Sequence, residues 1–336
     1  MGLIIDKELR NELKDTYIWR YMSLAKFLDL ITTNSIYFAT NKQLITGDPY
    51  EGTLPIFTNA LFYLDSDYQS KKEEYNNITA KPLIDILKDT KSLQISQKIE
   101  NIRNSTYINC WHINDDENYL MWQSYARKKG DIAIVSDIDS LIDAIDTDID
   151  IEAIKVKYSS KDFNIEITNV SNTVNNSEEE LKEIIKISSK YKKELFKNEN
   201  ELRLIFQLNN KDFNQKIKVD LNKLIKYIYV SPDSTETEKQ TVIKLISSLR
   251  DKKETNLNIE NKVFNSFISD TYAQESIQMN TEMALLGKIA SKEFTEEDDL
   301  KNFIYTIIAI MINQDIPPHK REKEYKNDMK MSEIQK

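Results

Sequence analysis

The chain has 336 residues, of which 40% are hydrophobic, and a formal net charge of -9 at pH 7. This length allows one large domain or two moderate ones with a substantial core. The acidic balance excludes a dedicated nucleic-acid binder, although it leaves room for a local basic groove. Because Cys110 is the single cysteine and there are only two histidines, neither a disulfide framework nor a zinc-type ligand cluster is expected.

Several other classes are excluded by local patterns. With five glycines, the sequence contains neither GxGxxG nor GxxxxGK[ST], which excludes Rossmann and P-loop nucleotide binding. The N-terminal segment reaches Asp6 before a signal-peptide core can form, so we expect a cytoplasmic protein. The most apolar run, FIYTIIAIMI at 303–312, is shorter than the roughly 20 residues of a membrane span and predicts a buried helix or an oligomer contact.

The first third of the chain predicts a strand, a helix and a second strand. YIWRYMS at 17–23 has strand character and ends at Ser23, a suitable helix N-cap, and apolar residues at helical spacing follow it. SIYFAT begins at Ser35 as the next strand. The loop NKQLITGDPYEG then leads into a mainly helical region over 56–104.

The middle of the chain alternates strands with helices. TYINCWHI predicts a strand, and DDENYLMWQSYARKKG predicts a helix that starts at its acidic residues and ends at Gly130. Strands are expected at DIAIVSD, KVKYSS, ELRLIF, KIKVDL and KYIYVSPDS, with an amphipathic helix over 178–195 and another over about 236–250.

These elements predict an α+β fold with a mixed, largely antiparallel sheet core, inserted helices and a helical C-terminal extension. We expect residues 1–275 to form a catalytic-like α+β domain. Residues 276–336 should form the helical extension, which ends in a charged, frayed tail.

The stretch FKNENELRLIF at 196–206 is the principal candidate site. It places Glu199, Glu201 and Arg203 at every second position, so a strand would carry all three on one face. That face is either solvated or functional. Two neighbouring carboxylates repel unless a cation such as Arg203 compensates, and such a pair suits chemistry in which one stabilises a developing cation and the other takes a proton.

Two other positions are candidates for ligand binding. Arg20, flanked by Trp19 and Tyr21, offers a planar fork for phosphate beside aromatic faces for a flat ring. Tyr37 in the second strand is another possible stacking residue. The structural alternatives are an arginine paired with a carboxylate at the sheet edge and a core tyrosine.

The order of these landmarks resembles the bacterial family known as domain of unknown function 2971, from about residue 17 to about residue 270. The most specific pieces are the ExExR strand and the helix with a glycine near its end, marked by Met121, Trp122, Tyr125 and Gly130. Phe196 stands where the family pattern suggests a tryptophan, and residues 110–112 also depart from it. The family name implies no activity.

A second, looser similarity implies an activity. A strand arginine, a helix, a strand tyrosine and a late ExE follow the order found in ADP-ribosyltransferases. This resemblance implies that NAD is the substrate, with no metal. The cofactor-binding residues would be Arg20, Tyr21, Tyr37 and Arg203. Glu201 would stabilise the oxocarbenium-like transition state, and Glu199 would orient or deprotonate a protein or nucleic-acid acceptor, as in a toxin or anti-phage effector.

Two alternatives belong to other classes. A magnesium-dependent nuclease or phosphohydrolase would use Asp48, Glu51, Glu199 and Glu201 as oxygen ligands. A non-catalytic sensor would bind an antitoxin or another partner through the helices after residue 275, with MALLGKIA and NFIYTIIAIMI as docking surfaces.

Overall fold

A computed structural model describes residues 2–44, 90–159, 178–210, 212–259, 261–268 and 319–320. The chain divides into two compact units. Unit 1 comprises Met1–Glu12, Thr33–Ile113 and Leu141–Asp220. Unit 2 comprises Leu13–Thr32, Asn114–Ser140 and Leu221–Lys336. The predicted boundary at 275, the helices predicted within 56–89 and, apart from residues 319–320, the C-terminal extension lie outside the described residues.

The strands and helices are numbered in chain order. The strands are β1 (Gly2–Ile5), β2 (Tyr17–Met22), β3 (Ser35–Tyr37), β4 (Ala39–Thr40), β5 (Thr106–Ile113), β6 (Ile132–Asp137), β7 (Asp150–Lys155), β8 (Lys157–Ser159), β9 (Tyr191–Lys193), β10 (Glu201–Gln207), β11 (Lys216–Lys218), β12 (Tyr227–Val230) and β13 (Val263–Asn265). The helices are α1 (Lys7–Glu12), α2 (Leu24–Thr33), α3 (Asn41–Leu44), α4 (Thr90–Ser105), α5 (Tyr119–Tyr125), α6 (Ile138–Ala144), α7 (Glu178–Ser188), α8 (Leu221–Leu224) and α9 (Glu236–Asp251), with a 3-10 helix at Glu194–Glu199.

In unit 1, the strand order is β1-β7-β10-β5, so β10 lies between β7 and β5. It runs antiparallel to both β7 and β5, while β1 is parallel to β7 and β4 pairs with β5. The first six residues of β10 are buried, so both of its faces are covered. Two further pairs, β3 with β11 and the parallel pair β8 with β9, complete the described strands of this unit.

In unit 2, the strand order is β2-β6-β12-β13, antiparallel except for the parallel pair β12 and β13. Its core is aromatic: Trp19, Trp122 and Tyr229 are essentially inaccessible to solvent. The Trp19 and Tyr229 rings of the sheet pack at 5.3 Å, and the edge-to-face contact of Tyr21 with Trp122 at 5.0 Å holds the sheet against α5.

The prediction of an α+β fold with a largely antiparallel sheet is confirmed. Three local predictions also hold in detail, because β2, α2 and α9 occupy the expected residues. α9 begins after a capping box, in which the Thr235 side chain accepts from the backbone and Glu238 bonds back to the Thr235 N–H. Within the described chain, no helix has the length and apolar character needed to cross a membrane.

Three predicted helix boundaries are wrong. α5 starts at Tyr119 rather than at the preceding acids, because the Asn118 side chain accepts from the N–H groups of Leu120 and Met121. It ends at Tyr125 and not at Gly130, because Ala126 leaves the helical conformation. The helix predicted over 178–195 ends at Ser188, and the chain then returns as the short strand β9.

Candidate functional site

The turn before β10 places Glu199 outside the strand, so the prediction that it alternates with Glu201 and Arg203 along one strand is wrong. Glu199 ends the 3-10 helix, and Asn200 follows in a left-handed conformation with φ of 37°. Asparagine tolerates that conformation better than most residues. Asn200 is fixed by two bonds with Ile113, one accepted from its N–H at 2.8 Å and one donated to its carbonyl at 2.6 Å.

Glu199 and Glu201 nevertheless meet at one ammonium group. Lys192 contacts Glu199 Oε2 closely and lies 3.4 Å from Glu201 Oε1. The other oxygen of Glu201 accepts from Arg203 Nε at 2.7 Å. We call these four residues, Lys192, Glu199, Glu201 and Arg203, the carboxylate cluster.

The interpretation of this row as a solvated face is also wrong. Glu201 is 5% exposed and Arg203 is 1% exposed. Buried charges are costly unless they are paired and hydrogen-bonded. Arg203 therefore also donates from Nη1 to the Ser189 carbonyl at 2.8 Å, and the Ser189 hydroxyl accepts from Asn41 at 3.1 Å.

The pKa values of the two glutamates are shifted in opposite directions. Burial by itself would raise the pKa of Glu201, but the charges of Arg203 and Lys192 outweigh it and lower this pKa from an ordinary 4.5 to about 2. Burial raises the pKa of Glu199, and the negative charge of Glu201 raises it further, against the opposing effect of Lys192. Glu201 is therefore the more readily ionised member, and Glu199 is the member that holds its proton to a higher pH than an ordinary glutamate.

Three residues around the cluster were not found from the sequence. Lys192 lay within the helix predicted over 178–195 and gave no separate signal. Tyr158 accepts from the Glu201 N–H at 2.9 Å, and burial raises its pKa. His112, opposite Glu201 in the β5–β10 register, donates from Nδ1 to the Glu199 carbonyl at 2.6 Å, and burial lowers its pKa. A hydrogen-bonded carbonyl at Nδ1 fixes the tautomer of a neutral His112.

The predicted cofactor-binding residues are distributed over both units. Tyr37 is in unit 1, is 39% exposed, and its hydroxyl group bonds to Gln43 at 3.1 Å and to Gln215. Arg20 and Tyr21 are in unit 2. Arg20 is half-buried on β2.

Tyr21 belongs to the aromatic core of unit 2. It is buried there, its hydroxyl accepts from the Asn118 N–H at 2.9 Å, and burial raises its pKa. Of the predicted site residues, the structure therefore brings together Glu199, Glu201 and Arg203 around Lys192.

The predicted magnesium ligands are only partly described. Asp48 and Glu51, and Pro49 between them, lie outside the described residues. Among the residues that the structure does describe, no group of three or more acidic, histidine or cysteine side chains is placed to hold a metal ion. The carboxylates of Glu199 and Glu201 are bound by Lys192 and Arg203 instead.

Comparison with known proteins gives one result. No curated protein and no solved structure matches the chain. A family model described as a protein of unknown function, DUF2971, matches residues 121–204. The match begins in α5 at Met121 and ends in β10 just after Arg203, so it contains both of the pieces that suggested the resemblance. The matched residues, 121–204, include the whole carboxylate cluster.

Proposed function

We propose that the chain is an NAD-consuming enzyme of the ADP-ribosyltransferase type, which releases nicotinamide and transfers ADP-ribose to a macromolecule. The observation that supports this proposal is the carboxylate cluster, in which two glutamates share one ammonium while their pKa values move in opposite directions. Environments that separate the pKa values of two neighbouring acids are typical of paired catalytic carboxylates. An ADP-ribosyltransferase-type core for the α+β fold is part of the same proposal.

Glu201 is suited to stabilise the transition state. When the bond between the nicotinamide nitrogen and the ribose breaks, its electron pair leaves with the nitrogen and positive charge develops on the ribose. An ionised carboxylate that is already held in place stabilises this charge without reorganising. Arg203 and β10 hold Glu201, and its Oε1 is the more weakly bound oxygen, since Lys192 lies 3.4 Å from it. Oε1 would face the ribose.

Glu199 is suited to act on the acceptor. As the acceptor's nucleophilic atom bonds to the anomeric carbon it loses a proton, and Glu199 would take that proton as general base. The raised pKa makes the Glu199 carboxylate a stronger base than an ordinary glutamate. The Glu199 side chain is also the more accessible of the two, at 16% exposed against 7% for Glu201.

Arg203 supports these roles by positioning. Its guanidinium donates to Glu201 and to the Ser189 carbonyl and is 1% exposed, so its contacts favour holding Glu201 over holding NAD. Arg20, Tyr21 and Tyr37 are the NAD contacts that the resemblance implies. Modification of a macromolecule by such an enzyme would suit a toxin or an anti-phage effector.

The test measures nicotinamide release from NAD by the full-length protein. In parallel, NAD that is labelled on its adenylate half is used to follow the transfer of ADP-ribose to macromolecules in cell extract. We expect Glu201→Gln to lower nicotinamide release by about 10²–10³-fold, the usual cost of losing one preorganised group. Glu199→Gln should lower transfer more than release, because hydrolysis by water depends less on acceptor deprotonation. Glu194→Gln, in the same 3-10 helix with a 45% exposed side chain, is the matched control and should leave both rates unchanged.

The proposal fails if the wild-type protein releases no nicotinamide in the presence of extract. It also fails if Glu201→Gln and Glu194→Gln behave alike. Near-UV circular dichroism of each variant separates lost chemistry from lost folding.

A further inference from the structure

A groove in unit 2 lies between α9 and the segment that leads into β13. Its volume is about 440 Å³, within the range of roughly 300–1,000 Å³ that is usual for ligand pockets. One wall is formed by residues of α9 at helical spacing, Ile243, Ser247 and Arg250. The other wall is formed by side chains from residues 258–263, among them Ile259 and Val263. The groove is therefore apolar on both walls and carries a charge at one end.

The strand beside this groove has an open edge. β13 is the last strand in the order of unit 2 and pairs with β12 on one side. On that side, the Lys262 carbonyl accepts from the Ile228 N–H at 2.7 Å. Because only alternate residues of a strand bond to a given parallel neighbour, Phe264 also faces β12, whereas the N–H and C=O groups of Val263 and Asn265 point away from it. Within the part of the chain that the structure describes, these outward groups make no hydrogen bond. Such an edge can accept a further strand.

The charge in the groove belongs to Arg250. Among the described residues that line the groove, it alone carries a charge. Arg250 is exposed, and its guanidinium makes no hydrogen bond or ion pair with any described residue. A guanidinium can bind a carboxylate through two parallel hydrogen bonds. Because the partial negative charge of the α9 C-terminus lies at the same end, Arg250 is the group that allows this end to accept an anion.

The direction of α9 relative to β13 determines which end of a bound peptide reaches Arg250. Asn265, at the end of β13, donates to Glu236 in the first turn of α9 at 3.1 Å. Val263, at the start of β13, lines the same groove as Arg250 in the last turn of α9. The helix and the strand therefore run in opposite directions. A peptide strand antiparallel to β13 would bring its C-terminus to Arg250, whereas a parallel one would bring an ammonium group there, which Arg250 repels.

We propose that this groove binds the free C-terminus of an extended peptide, which adds to β13 as an antiparallel strand and places its carboxylate on Arg250. Val263 and Asn265 would exchange backbone hydrogen bonds with the peptide, as in other cases of strand addition. Ile243 and Ile259 would contact its apolar side chains. The partner class is a protein whose C-terminal tail is rich in apolar, strand-forming residues. This proposal does not rest on the proposed NAD chemistry.

Fluorescence polarisation with two peptide pools tests the proposal on the full-length chain. Both pools consist of labelled octapeptides whose last four positions are randomised among aliphatic residues and threonine, and they differ only in a free or an amidated C-terminus. We expect the free-acid pool to bind roughly tenfold more tightly, which is the value of a charge-assisted hydrogen bond. Hydrogen exchange over residues 263–265 should slow when this pool is added, because the outward N–H groups gain acceptors.

Variants of the two walls separate the carboxylate contact from the strand contact. Arg250→Gln should lower the affinity for the free-acid pool to that for the amidated pool and leave the latter unchanged. Lys244→Gln is the matched control, since it removes the same charge from an exposed position of α9 outside the groove, and it should change neither affinity. Val263→Pro removes an outward N–H but no bond to β12, so it should weaken both pools roughly three- to tenfold, whereas Val263→Thr should not.

Three results would overturn the carboxylate contact: binding of neither pool at up to millimolar concentration, equal binding of the two pools, or equal effects of Arg250→Gln and Lys244→Gln. Strand addition is overturned if exchange over residues 263–265 does not change, or if Val263→Pro binds like Val263→Thr while near-UV circular dichroism shows both to be folded. Glu201→Gln should bind both pools like the wild type, which separates this result from the outcome of the nicotinamide assay.

Discussion

Both units bury polar residues, and one buried group from each unit shows two different ways of stabilising them. Unit 1 buries the carboxylate cluster, in which Arg203 and Lys192 compensate Glu201. Unit 2 buries His319, which is 0% exposed and surrounded by aromatic rings. The His319 ring centroid lies 5.2 Å from that of Trp19 and 5.6 Å from that of Tyr17.

The His319 site depends on ring packing and hydrogen bonds. His319 Nδ1 is 2.9 Å from the Tyr229 hydroxyl, and the Tyr17 hydroxyl donates to the His319 carbonyl at 2.9 Å. The half-exposed Asp116 lies at the edge of the site, 3.7 Å from His319 Nε2, and pairs with Lys320. The carboxylate cluster thus holds charges that must be balanced, whereas the His319 site holds a ring that must fit. The carboxylate cluster joins two carboxylates at one ammonium group, that of Lys192, and this geometry is why we place the proposed chemistry in unit 1.

The largest expected effect on stability follows from removing a cation from the carboxylate cluster of unit 1. Arg203→Met should lower the free energy of unfolding by about 3–5 kcal/mol, because it leaves the 5% exposed Glu201 without its closest cation. Urea denaturation of the full chain measures this. Lys197→Met is the control, since the Lys197 side chain is 70% exposed, and it should change stability by less than about 0.5 kcal/mol.

The double variant Arg203→Met/Glu201→Gln sharpens the result. If charge balance is what stabilises the cluster, it should recover part of the loss, because no unpaired buried charge remains. A double variant as unstable as the sum of its single variants would mean that packing, and not charge, governs unit 1.

The corresponding change in unit 2 is His319→Ala. It should lower stability by about 2–4 kcal/mol, because it opens a cavity among the rings and removes the partner of the Tyr229 hydroxyl. The near-UV circular dichroism of the aromatic core should fall with it, since Trp19 contacts the ring directly. Lys320→Ala, at a 42% exposed side chain, should cost less than about 1 kcal/mol. Equal losses for both variants would show that the C-terminal residues bind through surface charge.

Lowering the pH should affect the stability contributed by the two units differently. The pKa of Glu201 is lowered from 4.5 to about 2, so its stabilising effect is complete above pH 4.5 and is lost as the pH falls towards 2. The stability difference between wild type and Glu201→Gln should therefore shrink by on the order of 2 kcal/mol between pH 6 and pH 2.5. The pKa of Asp116 is lowered similarly, but its side chain is 48% exposed and solvent screens it. Asp116→Asn should change this pH dependence by less than half as much, as measured by urea denaturation at each pH.

The sequence predicted most of the local structure because local patterns determine it. Strand patterns placed β2, β5 and β6, and the capping residue Ser23 marked the start of α2. The short strands β1, β9 and β13 were not found, because three or four residues are too few to establish a period and their pairing partners are distant in sequence.

The candidate site was found in part for the same reason. Glu201 and Arg203 lie two residues apart on one strand, so their contact was readable from the sequence. Lys192 reaches them only because the chain turns back after Ser188 to form β9, and no local signal specified that turn. Burial of the cluster was equally hidden, since an alternating charged row looks the same on a solvated face and on a covered one.

The smallest expected effect comes from removing the N-terminal cap of α5 in unit 2. Asn118→Ala should cost about 1 kcal/mol, because the side chain accepts from the first N–H groups of α5. Thr235→Ala at the capping box of α9 should cost a similar amount, so the loss of stability alone does not distinguish the two caps. The two variants should differ in near-UV circular dichroism. Asn118 follows Glu117, which accepts from Trp122 Nε1 at 2.9 Å, so loss of this cap should alter the tryptophan signal, whereas loss of the Thr235 cap should not. An unchanged signal in Asn118→Ala would show that ring packing alone orders unit 2, and the contrast with the charge-balanced cluster of unit 1 would then be sharper still.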